Sequence, residues 1–110
     1  MAPPQFVYFH VGSDIALPTL LVRSIRATNR NALIYQCSDT TSPAAAGVDH
    51  IFRIPGDTSK LIAYRAQAYA ELKLTDAAIY LDTDMLVVAP FDVSDLVKNH
   101  DVALCLREFG

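Results

Sequence analysis

Two aspartates, Asp82 and Asp84, are separated by one residue and follow the apolar segment 77–81. In an extended chain both carboxylates can point to one side of the backbone. Two carboxylates about 5 Å apart at an effective dielectric near 20 repel each other by roughly 3 kcal/mol, and a shared proton, a cationic side chain or a metal ion can relieve that repulsion. Carboxylate oxygens are ligands that suit Mg²⁺ or Mn²⁺. The apolar residues on both sides of the pair predict that water has limited access to the two carboxylates. The alternative is a pair of acids that ends a strand and faces water.

Arg65 is the second candidate for chemistry, because it is predicted to lie among apolar side chains. The helix expected from Thr58 or Ser59 to about Leu74 carries apolar residues at helical spacing around it, namely Leu61, Ile62, Ala68, Tyr69 and Leu72. Arg65 is therefore expected on the stripe that faces the sheet, where a buried guanidinium needs a partner. Two interpretations stay open: an ion pair with an aspartate that fixes the helix, and a guanidinium directed at a diphosphate or at the acidic pair. Lys60, near the start of the same helix, either helps to neutralise phosphate or belongs to the surface.

The elements that must position these residues follow from alternating apolar patterns. Strands are predicted at 6–11, 32–37, 50–54, 77–81 and 102–106, and helices at 14–25, 58–74 and 92–99. Asp14 is expected to cap the first helix, with Pro18 tolerated in its first turn, and Arg26 is expected to be solvated on another face. Segment 77–81 is apolar on both sides, which predicts the centre of a sheet. The order predicts an α/β fold, a three-layer sandwich with a mostly parallel sheet.

The carboxyl ends of the strands are the places to look for a ligand site in a sheet of this kind. Three polar segments are expected there, at 10–14, 38–41 and 82–84.

Composition narrows the class of protein. The chain has 110 residues, enough for a single domain over 1–110, with 9 basic and 12 acidic side chains and a net charge of −3. Nucleic acid is not an expected partner, because phosphate binding needs a basic surface. No apolar run approaches the roughly 20 residues of a membrane span, and the first residues lack the charged start of a signal peptide. Cys37 and Cys105 lie in apolar stretches and are interpreted as buried thiols in a reducing, cytoplasmic compartment.

The residues from Tyr64-Arg65 to the stretch Ile79-Tyr80-Leu81-Asp82-Thr83-Asp84-Met85-Leu86-Val87 resemble a family signature. They are similar to the helix and the YLDxDxxV motif of glycosyltransferases with the GT-A fold, in particular the retaining group that includes glycogenin and the bacterial lipopolysaccharide galactosyltransferases. The segment 7–14 is similar to the first strand and loop of that family. The resemblance covers nearly the whole chain and corresponds to the N-terminal, nucleotide-binding half of the family's fold.

The resemblance implies a function and a set of roles. The function is metal-dependent transfer of a hexose from a UDP-sugar to a carbohydrate or glycolipid acceptor, with retention at the anomeric carbon. Asp82 and Asp84 would bind Mn²⁺ (or Mg²⁺), which bridges the diphosphate, and Thr83 lies between them. Arg65 would be the family's helix arginine, close to the donor sugar, in a catalytic role. The residues expected around uracil and ribose are His10, Val11, Gly12, Asp14 and Asp39.

Two departures from the family pattern bear on activity. Ile15 stands where the family usually has an aromatic residue that stacks on the base. The family's third metal ligand is a histidine in its C-terminal half, and His10, His50 and His100 do not match that position. The chain is therefore expected to bind a nucleotide sugar, and the sequence leaves open whether it also transfers the sugar. It is also expected to self-associate, because half of a fold leaves apolar surface uncovered.

Two other functional classes remain as alternatives. A non-catalytic nucleotide-binding or assembly module derived from a transferase shares every residue with the favoured reading and differs only in turnover. Phosphatases of the haloacid dehalogenase type also place Asp-x-Asp after an apolar strand. Their motif normally continues with Gly and lies near the start of the domain, whereas Met85 follows Asp84 here.

Overall fold

The computed structural model describes residues 3–72, 74 and 77–90, and six elements alternate along them. They are β1 (Gln5–His10), α1 (Ala16–Thr28), β2 (Leu33–Ser38), β3 (His50–Arg53), α2 (Leu61–Glu71) and β4 (Ile79–Leu81). This order confirms the predicted alternation up to residue 81. The predicted helix 92–99 and strand 102–106 lie outside the described residues, as do His100 and Cys105.

The four described strands form one sheet in which every neighbouring pair is parallel, in the order β3-β2-β1-β4. The predicted α/β class is thus confirmed, and the topology is compatible with a Rossmann-like fold. Segment 77–81 was expected at the centre of a sheet; β4 lies at one end of the four described strands, and the predicted strand 102–106 lies outside the described residues. Both faces of β4 are covered: Ile79 and Leu81 pack on the core around α1, while Tyr80 meets an aromatic ring of α2 on the other face.

Side chains of β1 alternate between two cores, one on each face of the sheet. Phe6 and Tyr8 pack with Leu21, Val22 and Ile25 of α1. Phe9 packs in a second cluster that includes Cys37 of β2 and the α2 residues Ala68 and Tyr69. The two helices therefore cover opposite faces, which gives three layers. Cys37 is fully buried, as predicted, and burial raises the pKa of its thiol to about 11.

Helix α1 begins close to the predicted position. The Asp14 carboxylate accepts a hydrogen bond from the backbone N–H of Ala16, 2.9 Å away. This contact satisfies one of the backbone donors that a helix start leaves unpaired. Pro18 is buried in the first turn, where its missing N–H costs nothing.

Arg26 is not the solvated side chain that helical spacing predicts. Its guanidinium donates to the carbonyl oxygens of Ala32 and Gly47, and it forms a 2.6 Å ion pair with Asp49. Asp49 also accepts a hydrogen bond from the N–H of Ile34 at 2.8 Å. The long side chain therefore ties α1 to the segments that enter β2 and β3.

Helix α2 is rotated relative to the predicted orientation. Tyr64 and Ala68 are its buried residues, whereas Ile62 is 89% exposed and Arg65 is also exposed. The buried Tyr64 hydroxyl hydrogen-bonds to the carbonyl oxygen of Ile54, and this contact fixes which face turns inward. Arg65, the next residue along, therefore lies beside the buried stripe, so the prediction of a buried arginine was wrong.

Gly56 provides the space for the Tyr64 ring, because a Cβ at this position would lie 2.4 Å from Tyr64 Cδ2. Gly56→Ala is therefore expected to destabilise the fold by about 1–3 kcal/mol, the usual cost of overpacking. The measurement is urea unfolding of the parent chain and the variant. In a Tyr64→Ala background the same substitution should cost less than about 0.5 kcal/mol. Equal costs in the two backgrounds would contradict this explanation.

Candidate functional site

The strand order creates a switch point between β1 and β4. From β1 the chain moves to β2 and β3 on one side and then returns to β4 on the other. Ligands of open α/β sheets bind at such a point, beyond the carboxyl ends of the strands. The pairing aligns Tyr8 with Leu81, so the segment after His10 and the segment after Leu81 leave the same edge of the sheet.

The two aspartates after β4 lie in a tight turn, since the backbone N–H of Met85 donates to the carbonyl oxygen of Asp82 at 3.1 Å. Both aspartates are exposed. The extended chain and restricted solvent predicted for them were therefore wrong. Of the apolar residues that follow, Val87 is buried and its N–H donates to the hydroxyl of Ser24 on α1 at 2.9 Å, whereas Met85, Leu86 and Val88 are exposed.

Arg65 reaches across from α2 and forms an ion pair with Asp82, with 2.7 Å between Nη2 and Oδ1. The sequence left open an ion pair with an aspartate and a guanidinium directed at a diphosphate or at the acidic pair. Because Asp82 belongs to the acidic pair, the observed contact fits both interpretations. The side chains are 45% and 51% exposed, and a pair this exposed contributes about 0–1 kcal/mol to stability. The hydrogen bond to Asp82 raises the pKa of Arg65, which stays charged.

Tyr69 forms a support beneath this arginine. The guanidinium carbon of Arg65 lies 5.5 Å from the centre of the Tyr69 ring, within cation–π range. The ring is held edge-on by Phe9 at 6.1 Å and by Tyr80 at 5.0 Å. The Tyr69 hydroxyl is buried and has no hydrogen-bond partner among the described residues. Burial raises the pKa of this phenol to about 12 despite the nearby guanidinium, so it stays protonated.

The loop after β1 turns sharply at Gly12. Its φ of +129° lies in a region that favours glycine, and no other atom approaches the position of a Cβ. The Gly12 N–H donates to the hydroxyl of Ser42 at 2.8 Å, and His10 Nε2 hydrogen-bonds to the Gly12 carbonyl oxygen at 2.9 Å. The backbone of this loop is therefore held in place and open to solvent.

The loop after β2 is organised by Asp39. Its carboxylate accepts hydrogen bonds from the backbone N–H of Ser42 and the hydroxyl of Thr41, both at 3.1 Å. Arg53 donates to the carbonyl oxygens of Asp39 and Ser42 and closes the loop from the β3 side. Interaction with the Ser42 side chain, followed by the other hydrogen bonds of the loop, lowers the pKa of Asp39.

A buried polar chain supports both loops from below. The Ser38 hydroxyl donates to the carbonyl oxygen of His10 at 2.6 Å, and the Gln36 amide donates to the hydroxyl of Ser38 at 2.8 Å. The Tyr8 hydroxyl donates to Gln36 Oε1 at 2.5 Å, and that oxygen also accepts from the N–H of Ala45. Burial raises the pKa of Tyr8 well above its ordinary value, so it is a permanent donor.

Most of the predicted site residues lie at the carboxyl end of β1 or in the three segments that follow β1, β2 and β4, and the others, Lys60 and Arg65, lie at the start of α2 and within it. Backbone pairing brings the β1 loop, which contains half-buried His10 and Val11, beside the turn that contains half-buried Thr83. The Gly12–Ser42 bond joins the β1 loop to the loop of Asp39. Asp14 is exposed and is engaged with the start of α1. Lys60 is exposed at the N-cap of α2, five residues before Arg65.

Ser42 and Tyr69 are the two contributors that the sequence reasoning missed. Tyr69 had a detectable signal, because a ring four residues after Arg65 on a helix lies within reach of the guanidinium. Ser42 had none, because its contact with Gly12 spans 30 residues and depends on the pairing of β1 with β2.

The oxygen donors of Asp82 and Asp84 fit the chemistry of Mn²⁺ or Mg²⁺, which are usually held by one or two carboxylates together with water and phosphate oxygens. Within residues 3–72, 74 and 77–90, no group of three or more His, Cys, Asp or Glu side chains is placed to hold a metal ion. A cation at this turn would therefore need ligand oxygens beyond those that the described residues supply. The carboxylate of Asp82 would have to bind the cation and Arg65 together, or release Arg65 when the cation binds.

No family model, curated protein or solved structure matches this chain. The GT-A resemblance therefore rests on the residues quoted for it and remains a hypothesis. None of the described helices is long and apolar enough to cross a membrane.

Asp39 yields a prediction about acid stability. Its pKa is lower in the folded chain than its ordinary value, so its contribution to stability is present above that value and is lost as the pH falls through the lowered pKa. The decrease in unfolding free energy between about pH 5 and pH 3 should therefore be smaller in Asp39→Asn than in the parent chain. Urea titrations at the two pH values measure this difference. An identical decrease in both proteins would show that the loop does not stabilise the ionised form.

Proposed function

We propose that this chain binds a UDP-hexose together with Mn²⁺ or Mg²⁺ at the switch point, as the donor-binding part of a metal-dependent, retaining hexosyltransferase. The observation that carries the proposal is the position of the Asp82–Asp84 turn. It follows β4 directly, beside the loop after β1, and a cationic side chain from α2 meets it there. The resemblance of the YLDxDxxV motif supplies the substrate class, a UDP-hexose. Retention of configuration at the anomeric carbon rests on that resemblance alone.

Each part of the edge has a role in this proposal. The carboxylates of Asp82 and Asp84 hold the cation, and Arg65 contributes positive charge for the diphosphate. When bound, the cation supplies Lewis-acid stabilisation of the departing nucleoside diphosphate. Asp39 is ionised at neutral pH, as an aspartate with an ordinary or lowered pKa must be, so its carboxylate can accept hydrogen bonds from sugar hydroxyls. Gly12 has no side chain, which allows a nucleotide to approach the backbone closely.

The other predicted ligand contacts are supported by their position in the chain alone. Lys60, exposed at the N-cap of α2, would add positive charge for phosphate. His10, Val11, Asp14 and Thr83 belong to the segments that would surround the nucleotide. Self-association stays a prediction, based on exposed apolar side chains at Leu61, Ile62, Leu86 and Val88.

Asp84→Ala tests the metal site. Mn²⁺ with UDP, at about ten times the dissociation constant, should raise the melting temperature of the parent chain by about 5 °C or more. The variant should lose this shift, because the exposed carboxylate of Asp84 would be a ligand of the cation. Differential scanning calorimetry measures both proteins with and without the ligands.

Glu71→Gln is the matched control, since it removes an exposed carboxylate at the last residue of α2, outside the turn that contains Asp82 and Asp84. It should retain the full thermal shift. An Asp84→Ala variant that keeps the shift would remove the metal site from the proposal. Release of UDP from UDP-glucose or UDP-galactose with Mn²⁺ then separates an enzyme from a non-catalytic module, which would bind the donor without releasing UDP.

A further inference from the structure

The carboxylate that would hold a cation is already occupied by a side chain of this chain. Arg65 Nη2 lies 2.7 Å from Asp82 Oδ1, and the pair is about half exposed on both sides. A divalent cation bound to Asp82 would therefore meet the positive charge of Arg65 at close range, and the two cations would repel each other. Binding of the cation alone must either displace Arg65 or tolerate this repulsion.

We propose that Arg65 is an internal counterion that couples the two halves of the ligand, so that the chain binds the cation weakly until a phosphate anion is present. This inference rests on the proposed function and adds a regulation of the same site. Without ligand the guanidinium neutralises Asp82. With a diphosphate bound, the guanidinium transfers to phosphate oxygens and leaves both aspartates to the cation.

The surroundings of Arg65 permit this exchange of partners. Its side chain is 45% exposed, so it can move without breaking a packed core. The guanidinium carbon lies 5.5 Å from the centre of the Tyr69 ring, so the ring attracts the guanidinium independently of Asp82. Phe9 and Tyr80 hold the ring itself, which keeps the support in place while the arginine moves. Phosphate is a suitable second partner because guanidinium binds it through paired, charge-assisted hydrogen bonds.

The exchange implies a reciprocal coupling. If UDP raises the affinity for Mn²⁺ by some factor, Mn²⁺ must raise the affinity for UDP by the same factor. Two effects contribute to that factor: direct contact between cation and phosphate, and the release of Asp82 by Arg65. Only the second effect depends on Arg65, so substitution of this residue separates the two.

Arg65→Gln is the variant that tests the coupling, by isothermal titration calorimetry with Mn²⁺ alone and with Mn²⁺ in saturating UDP. Without the competing charge, the variant should bind Mn²⁺ alone roughly three- to tenfold more tightly than the parent chain, a modest factor because the exposed ion pair is weak. The factor by which UDP improves Mn²⁺ binding should decrease, because the variant no longer gains from releasing Asp82. Circular dichroism checks that the variant is folded.

Two further variants control for charge. Arg30→Gln removes an exposed cation from the segment between α1 and β2, at the amino ends of the strands, and should behave like the parent chain. Arg65→Lys keeps the charge without the planar fork and should bind Mn²⁺ alone with nearly the parent affinity. Equal tightening in Arg65→Lys and Arg65→Gln would overturn the electrostatic explanation.

The outcomes distinguish this inference from the proposed function. If Mn²⁺ binds with UDP but Arg65→Gln leaves the affinity for Mn²⁺ alone unchanged or weaker, the counterion role is wrong and the site survives. If the parent chain binds no Mn²⁺ either alone or with UDP, and Arg65→Gln binds none, the proposed function itself is wrong.

Discussion

The position of β1 between β2 and β4 is the constraint on which the rest of this structure depends. Because all three strands are parallel, their carboxyl ends meet at one edge, and the reversal of strand order opens a crevice there. A buried chain of hydrogen bonds from Tyr8 through Gln36 and Ser38 to the backbone of His10 ties β1 to β2 just below that edge. Polar groups buried this way are satisfied, so they fix the geometry of the loops above them.

Two arginines join different elements at this edge, one through a carboxylate and one through backbone carbonyl oxygens. Arg65 of α2 meets Asp82 after β4, and Arg53 of β3 closes the loop that Asp39 organises. Since the Arg65–Asp82 pair is exposed, it adds little to stability and can exchange partners. The Asp39 loop is held by several hydrogen bonds and is the more rigid of the two. The Asp39 loop is therefore a preorganised side of the crevice, whereas on the other side the Arg65–Asp82 ion pair can be replaced by contacts with a ligand.

Sequence patterns predicted much of the fold, for physical reasons that are visible in particular residues. Apolar alternation located every described strand and both helices, because both faces of a parallel sheet must be covered. The rotation of α2 escaped prediction, since it depends on Tyr64 fitting against Gly56 and bonding to Ile54. Spacing within α2 alone marked Arg65 as buried.

The candidate site was only partly predictable. The end of β4 and the acids that follow it could be read from the sequence, whereas the turn closed by Met85 and the exposure of both acids could not. Contacts such as Gly12 with Ser42 join residues far apart in the chain, so they follow from strand pairing and leave no local pattern.

The central claim is that a divalent cation binds with a nucleotide at the crevice between β1 and β4. Paramagnetic broadening of backbone amide signals by Mn²⁺ in the presence of UDP tests it most directly. The account predicts that the signals of Gly12 and Asp84 broaden at substoichiometric Mn²⁺, while Asn31, at the opposite edge of the sheet, keeps its intensity. Uniform broadening, or loss of signal centred on acidic residues elsewhere with Gly12 and Asp84 unaffected, would contradict it.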